Sequence, residues 1–308
     1  RTADMDRFVR EHPEMVIVVA AGNAGSGADT VGSPATGKNV LAVGATWHGD
    51  AEPPCVVGFS SRGWTADGRI KPDVVAPGTA VVSADSDGDV EHASCGTTFS
   101  SGTSMACPTA AGLAALVRQY FLEGRAPDGR PLTVRGFEPT SALVRATLIA
   151  SAVDLAAMGC SGVEPVPSRD QGWGLIQLDR ALPLGSDTLR LLARDRQGGF
   201  TASEQDPWRC TVELERSGPL KVVLVWTDPP STALAQRNLV NDLDLVVTGP
   251  HGTAWRGNGF EQGVSVTGAE PDRLNPVEVV RLPEAAQGGY LLEVVPATIA
   301  VAPQSFAL

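Results

Sequence analysis

Residues 105–124, MACPTAAGLAALVRQYFLEG, constrain this chain more than any other stretch. The run is rich in alanine and apolar on most faces, so a helix formed from it has to be buried on most of its surface. Pro108 falls within the first turn or so, where a proline is tolerated. Such a helix needs sheet and helix packed around it, and the neighbouring sequence offers both. MVIVVAAGN, NVLAVGAT and KPDVVAPG are β-rich apolar runs, and TSALVRATLIASAVDL is a second helix behind a Thr/Ser start signal. Strands that are apolar throughout and alternate with helices indicate a largely parallel sheet covered on both faces.

The texture changes after QGWGLIQLDRALPLG. From about residue 186 the helical pattern is replaced by short alternating segments: TVELE, KVVLVW, LDLVVTGP, VEVVRL and YLLEVV. Gly, Pro and Asn clusters separate them, which reads as an all-β sandwich or jelly roll. The expected organisation is an α/β domain over 1–185 and a β-sandwich over 186–308, within what 308 residues allow. A formal net charge of -11 argues against a nucleic-acid backbone as partner, and no apolar run is long enough to span a bilayer. Five cysteines (55, 95, 107, 160 and 210) form no CxxC pair, so zinc is not expected. One or two disulfides fit this count, with no pairing deducible, and Cys107 reads as a small buried residue. The chain opens on Arg1 and runs directly into MDRFVREHPE, a helical pattern stopped by Pro13. The expectation is a processed product or an excised piece that starts inside a folded region.

Two short motifs carry chemistry. In FSSGTSMACPTAAG, Gly102 precedes Ser104 and Ala106 follows it at a loop-to-helix junction. A serine there gains from the free N–H groups and the dipole of the helix N-terminus. On its own, GTS reads as a plain helix N-cap, which is common. In VVAAGNAG, Asn23 follows a buried strand, and ligands in α/β sheets bind beyond the carboxyl ends of the strands. An asparagine there can aim its NH2 at an oxyanion, or it can serve only as a turn residue.

Together, AAGNAG, GSPAT with VLAVGAT, FSSRG, KPDVVAPG and GTSMACPTAAG resemble the subtilisin-like serine proteases, the subtilases. The resemblance implies that Ser104 is the nucleophile. Asn23 and the Ser104 N–H are then the oxyanion donors, and Thr103 orients the loop with Gly102. Ala20, Ala21, Gly22, Gly32, Ser33 and Pro34 are implied in the primary specificity pocket. KVVLVWTDPP, LVNDLDLVVTGPHGT and WRGNGF are similar to the C-terminal β-sandwich of some bacterial alkaline serine proteases. The fold implied is the second part of a subtilisin-like parallel-sheet catalytic domain followed by that sandwich. A polypeptide substrate, chemistry without a cofactor and a secreted, extracellular setting are implied with it.

The family's order of catalytic residues is Asp, His, Ser. Only about twenty residues precede Asn23 here, and neither an aspartate motif nor a histidine motif is among them. The single HGT, at 251–253, falls within the β region and reads as a hairpin turn. His12 precedes a proline, and His48 and His92 lie in polar loops. The reading is therefore a nucleophile and an oxyanion hole without a base. The expected partner is an N-terminal fragment or companion chain carrying Asp and His. The alternative is an inactive binding or scaffolding protein on the same fold. Asp228, Asp242 and Asp244, near strand ends, could hold a structural Ca2+, as the family often does, or could be edge charges that block strand pairing.

Overall fold

A computed structural model describes residues 1–48, 54–91, 95–124, 136–183, 189–232 and 235–308. The first helix, α1 (Thr2–Glu11), buries Val9 and Asp6 and complements its dipole with Asp4 in the first turn and Arg10 in the last. Three strands follow: β1 (Val18–Ala20), β2 (Leu41–Thr46) and β3 (Val74–Pro77). They form a parallel sheet in the order β1-β2-β3, with Val18 opposite Leu41 and Val43 opposite Val74. Every residue of β2 is buried, as a central parallel strand requires, whereas β1 is an edge strand and only half-buried. An exposed antiparallel pair, β4 (Val81–Ala84) and β5 (Thr97–Ser100), then leads into α2 (Thr103–Leu122).

Helix α2 lies on β1, β2 and β3. It buries Ala106, Ala110, Ala114, Val117 and Phe121, a spacing that puts one small-residue stripe against the sheet. Its other face is not covered among the described residues. Ser104, Pro108, Ala111, Ala115, Leu116 and Leu122 are exposed there, where the sequence predicts burial on most sides. Apolar composition sets what a helix face can bury, and the covering layer has to come from elsewhere. Helix α3 (Ser141–Ser151) is buried along nearly its whole length, and its N-cap Thr140 accepts a hydrogen bond from Leu143 N at 3.3 Å.

The β-rich half has nine strands among the described residues: β6 (Asp195–Phe200), β7 (Trp208–Leu214), β8 (Gly218–Trp226), β9 (Asp242–Thr248), β10 (Ala254–Glu261), β11 (Val264–Thr267), β12 (Val277–Ala285), β13 (Gly288–Thr298) and β14 (Gln304–Ala307). They form two antiparallel sheets, β11-β10-β9-β13-β7 and β12-β8-β14-β6. Strand β8 shows how the halves join. Val222, Leu224 and Trp226 point into the sandwich core, while Val223 and Val225 join the core built on α2 and α3. One sheet thus seals two cores. The expected boundary near residue 185 lies outside the described residues.

Polar groups fasten the same junction. Lys38, buried just ahead of β2, bonds to Asp228 and donates to the carbonyls of Pro229 and Asn238, both at 2.6 Å. Arg145 of α3 donates to Lys38 O at 3.0 Å and Trp226 O at 2.9 Å. Arg10 of α1 reaches Thr227 O at 2.7 Å. Cys55 and Cys160 form a disulfide, while Cys107 and Cys210 are free and half-buried and Cys95 is free and exposed. No helix among the described residues is long and apolar enough to cross a membrane.

Candidate active site

Ser104 stands in the first turn of α2, exposed, at the carboxyl end of the parallel sheet. The approach to it is fixed by backbone contacts. Gly102 N donates to Gly78 O at 2.8 Å, and Gly78 N donates to Thr46 O at 3.0 Å, so the loop before α2 hangs on the ends of β2 and β3. A Cβ at Gly78 would lie 2.7 Å from the Ala45 Cβ and 2.8 Å from Gly102 O, so only glycine permits this approach. The first turn of α2 holds no acidic residue, which leaves its N–H groups and dipole free to act on an anion.

The structure brings Asn23 to this turn. Asn23 Oδ1 accepts two hydrogen bonds from Thr103, from its N and from its Oγ1, each 2.9 Å. Thr103 Oγ1 in turn accepts from Gly22 N at 3.2 Å. With the carboxamide oxygen occupied, the Asn23 NH2 faces the Gly102–Ser104 backbone. A Cβ built on Gly102 would sit 3.3 Å from Asn23 Nδ2 and 3.6 Å from Ser104 N. A carboxamide N–H, a helix N-terminus and a free hydroxyl therefore converge on one patch, the arrangement that stabilises an oxyanion beside a nucleophile.

The expected pocket residues are held together by the segment FSSR at 59–62. Gly25 N donates to Phe59 O at 2.9 Å, Ser61 N to Gly22 O at 2.9 Å, and Val31 N to Arg62 O at 3.1 Å. Ser61 Oγ accepts from Ala24 N at 3.1 Å, and it lies 2.8 Å from where a Gly22 Cβ would be, at a φ of +114°. Ala21 and Ala35 pack in one small cluster with Val31 and Ala42. Ala20 ends β1, Pro34 is half-buried, and Gly32 and exposed Ser33 lie beside them, with Ser33 Oγ 2.8 Å from Thr2 Oγ1. Ser61 and Thr30, whose Oγ1 accepts from Arg62 N at 2.8 Å, are clamps that the sequence reading missed. The signal for Ser61 lay in FSSRG, read there only as a motif, and Thr30 lay outside every motif.

No described histidine hydrogen-bonds Ser104. The His12 ring packs tilted against Phe8, with centroids 4.4 Å apart, and His48, beyond β2, is tied through its backbone N–H to Thr79 Oγ1 at 2.9 Å. His251 lies in the turn between β9 and β10, as expected of a hairpin residue, and His92 lies outside the described residues. The half-buried Cys107 thiol is pushed up from its ordinary pKa by burial, which keeps it protonated.

The three aspartates expected to hold calcium do not assemble. Asp228 is fully buried, with one oxygen on Lys38 and on Val240 N at 2.9 Å and the other on Asn241 N at 2.7 Å. Asp242 and Asp244 share Arg273 instead. Burial raises the Asp242 carboxyl to about 6 against the pull of Arg273. Among the described residues no group of three or more His, Cys, Asp or Glu side chains is placed to hold a metal ion. The three do not form one donor set, because Asp228 is spent on Lys38 and two backbone N–H groups while Asp242 and Asp244 turn to Arg273. The sequence reading saw carboxylates at strand ends but not the lysine 190 residues away that pairs with the first of them.

Residues 2–174 match the profile of the Subtilase family of S8 peptidases, and the chain belongs to that family. It is similar to the "Serine protease/ABC transporter B family protein tagA" of Dictyostelium discoideum, 31% identical over 271 residues that span 81% of this chain and 15% of that protein. It is also similar to the "Serine protease AprX" of Bacillus subtilis, 38% identical over 115 residues, 34% of this chain and 26% of that protein. The solved "self-cleaved protease domain of PatA" is 27% identical with a TM-score of 0.40, over 58% of this chain and 52% of that one. The chain thus spans only a small part of the length of its Dictyostelium relatives, 13–16% for three of them.

Proposed function

We propose that this chain supplies the nucleophile and oxyanion hole of a serine endopeptidase. Ser104 Oγ attacks the peptide carbonyl, and the oxyanion is held by Asn23 Nδ2 and the Ser104 N–H. A histidine oriented by an aspartate, carried on an upstream segment or companion chain, takes the serine proton and passes it to the leaving amine. The acyl-enzyme is then hydrolysed by water. The observation that carries this reading is the Thr103 clamp on Asn23 Oδ1, which leaves the carboxamide a single useful orientation, with its NH2 toward Ser104. An idle surface asparagine has no need of two donors.

The edge position of β1 and the bare outer face of α2 support a completing segment. Edge strands and exposed apolar helix faces are ordinarily covered, and the exposed face of α2 begins at Ser104 itself. A fluorophosphonate probe tests the proposal. Ser104 is to be labelled when the upstream segment is supplied in cis or in trans, and neither the chain alone nor Ser104→Ala is to react. His48→Ala is to label normally. Absence of labelling in the completed protein, or equal labelling of Ser104→Ala, rejects the assignment.

A further inference from the structure

A second cleft, of about 520 Å³, opens between the α/β half and the β-sandwich. That volume lies within the roughly 300–1,000 Å³ common for binding sites. Trp64 and Ile70 line it from the α/β half, Phe260 and Leu274 from the sandwich, and Pro165 and Pro167 also belong to the lining. Neither the Ser104 patch nor the 20–35 segment contributes to it, so it is a separate site.

Strand β10 is shaped to build this lining. Its register against β11 shifts between Trp255 and Phe260, and a bulge of this kind re-aims the side chains beyond it. Asn258 at φ 61° and Gln262 at φ 48° both line the cleft, two of the four non-glycine residues with positive φ among those described. Backbone of this kind persists where its surroundings over-determine it. Asn258 is held in this way: Nδ2 donates to Asp272 Oδ2 at 2.5 Å and to Val277 O at 2.8 Å, and Oδ1 accepts from Val279 N at 2.9 Å.

The charge of the lining is one-sided. Two carboxylates, Glu164 and Asp272, are among the described lining residues, and the cations that adjoin them are spent on protein acceptors, Arg281 on Gly263 O and Arg273 on Asp242 and Asp244. Asp272 is fully used by its own turn. Its oxygens accept from Leu274 N, Asn275 N, Asn275 Nδ2 and Asn258 Nδ2. It contributes field rather than contact. Glu164 is exposed, and its carboxylate has no partner among the described residues. The half-buried Trp64 adds an indole to the same lining.

The geometry points to a binding site for an arginine-bearing polypeptide segment, with a guanidinium stacked on Trp64 and paired with Glu164 while its alkyl stem lies along Ile70, Phe260 and Leu274. A guanidinium is the cation that combines a flat face for an aromatic with a fork for a carboxylate, and an apolar wall suits its stem. The site does not depend on Ser104 being active. It offers a polypeptide a second point of attachment, away from the scissile bond.

Isothermal titration of the 308-residue chain with acetyl-tri-arginine amide tests this. Glu164→Gln is expected to weaken binding about tenfold, equivalent to ~1.4 kcal/mol, and Trp64→Leu about fivefold. Glu215→Gln, at an exposed position elsewhere with the same loss of charge, is expected to stay within about twofold of wild type. Because Glu164 is exposed, its variant keeps the question open to refutation even if Trp64→Leu misfolds. Four results overturn the inference: no binding of the tri-arginine probe, equal losses in Glu164→Gln and Glu215→Gln, full affinity in a folded Trp64→Leu, or maltotriose bound in preference to the peptide.

Discussion

Replacing Asp228 by alanine is the sharpest probe of how the two halves depend on one another. The carboxylate and the Lys38 ammonium are 0% and 1% exposed, so the substitution strands a buried cation. Breaking one partner of such a pair costs about 3–5 kcal/mol. Val240 N and Asn241 N, at 2.9 and 2.7 Å, lose their acceptor as well. A loss of about 5 kcal/mol is a large share of an ordinary folding free energy of about 5–15 kcal/mol. At roughly 2–4 °C per kcal/mol it lowers Tm by 10 °C or more. Differential scanning calorimetry on wild type, Asp228→Ala and the paired Lys38→Met/Asp228→Leu variant reads this directly. The pair is expected to recover most of the loss, because it removes both charges together. Excess EDTA is expected to leave the wild-type Tm unchanged, since every Asp228 oxygen already has a protein donor. A cost below about 1 kcal/mol for Asp228→Ala, or an EDTA effect of similar size to the variant's, refutes the reasoning and returns Asp228 to a metal.

Thr103→Val removes the hydroxyl that links Asn23 Oδ1 to Gly22 N, and fluorophosphonate labelling of the completed protein is expected to slow about tenfold, the worth of one such hydrogen bond. Lys221 donates to Ile149 O at 2.6 Å and Ala152 O at 2.9 Å, and burial, with Arg281 adding to it, brings its ammonium down to about 7. Between about pH 7 and pH 10 the unfolded chain then holds a proton that the folded chain does not, so stability rises with pH across that window. Urea midpoints are expected to follow that rise in wild type and to lose it in Lys221→Met. The Cys55–Cys160 bridge closes a loop with a sequence separation of 105, for which chain entropy gives about 4.7 kcal/mol. Cys55→Ser/Cys160→Ser is expected to lose about 3–5 kcal/mol by chemical denaturation, and reducing agent is to shift wild type to the same midpoint.

What the sequence disclosed about the fold depended on whether the relevant pattern was local. Ser104 and Asn23 are flanked by runs of small residues that announce close backbone approach, so the meeting of their two segments was legible. β7 and β13 alternate, and β8, β9 and β12 stand out as short β-rich apolar runs, so these five were legible too. β10, AWRGNGFE, was not, because Gly257 and Gly259 break its alternation. The reason is tertiary: a Cβ at Gly257 would lie 2.2 Å from Glu278 Oε2, on a neighbouring sheet. β14, at four residues, is too short to show a period. The pairing of Lys38 with Asp228 and the separation of Asp228 from Asp242 and Asp244 depend on contacts that no local pattern encodes. The exposure of α2 is a different case, since periodicity reports which face is apolar but not what covers it.

The position of the ionic junction separates stability from chemistry. Lys38 and Asn39 precede β2, whose first residue is Leu41, while Thr46 at its far end carries the loop that leads through Gly78 and Gly102 to Ser104. A six-residue strand spans roughly 20 Å, so the Asp228 network and the Ser104 patch sit at opposite ends of the same buried element. Strand β2 is hydrogen-bonded on both sides, to β1 and to β3, and a central strand so held transmits a local loss of charge as lower global stability rather than as a shift of its other end. The labelling rate of Asp228→Ala, in the completed protein and normalised to its folded fraction well below Tm, is therefore expected to equal that of wild type. Thr103→Val, at the cost of a few degrees in Tm for the stranded Gly22 N–H, is expected to change the rate per folded molecule. A slowed rate per folded Asp228→Ala molecule would mean that the sandwich acts on the site through β2, and not only on the stability of the chain that carries it.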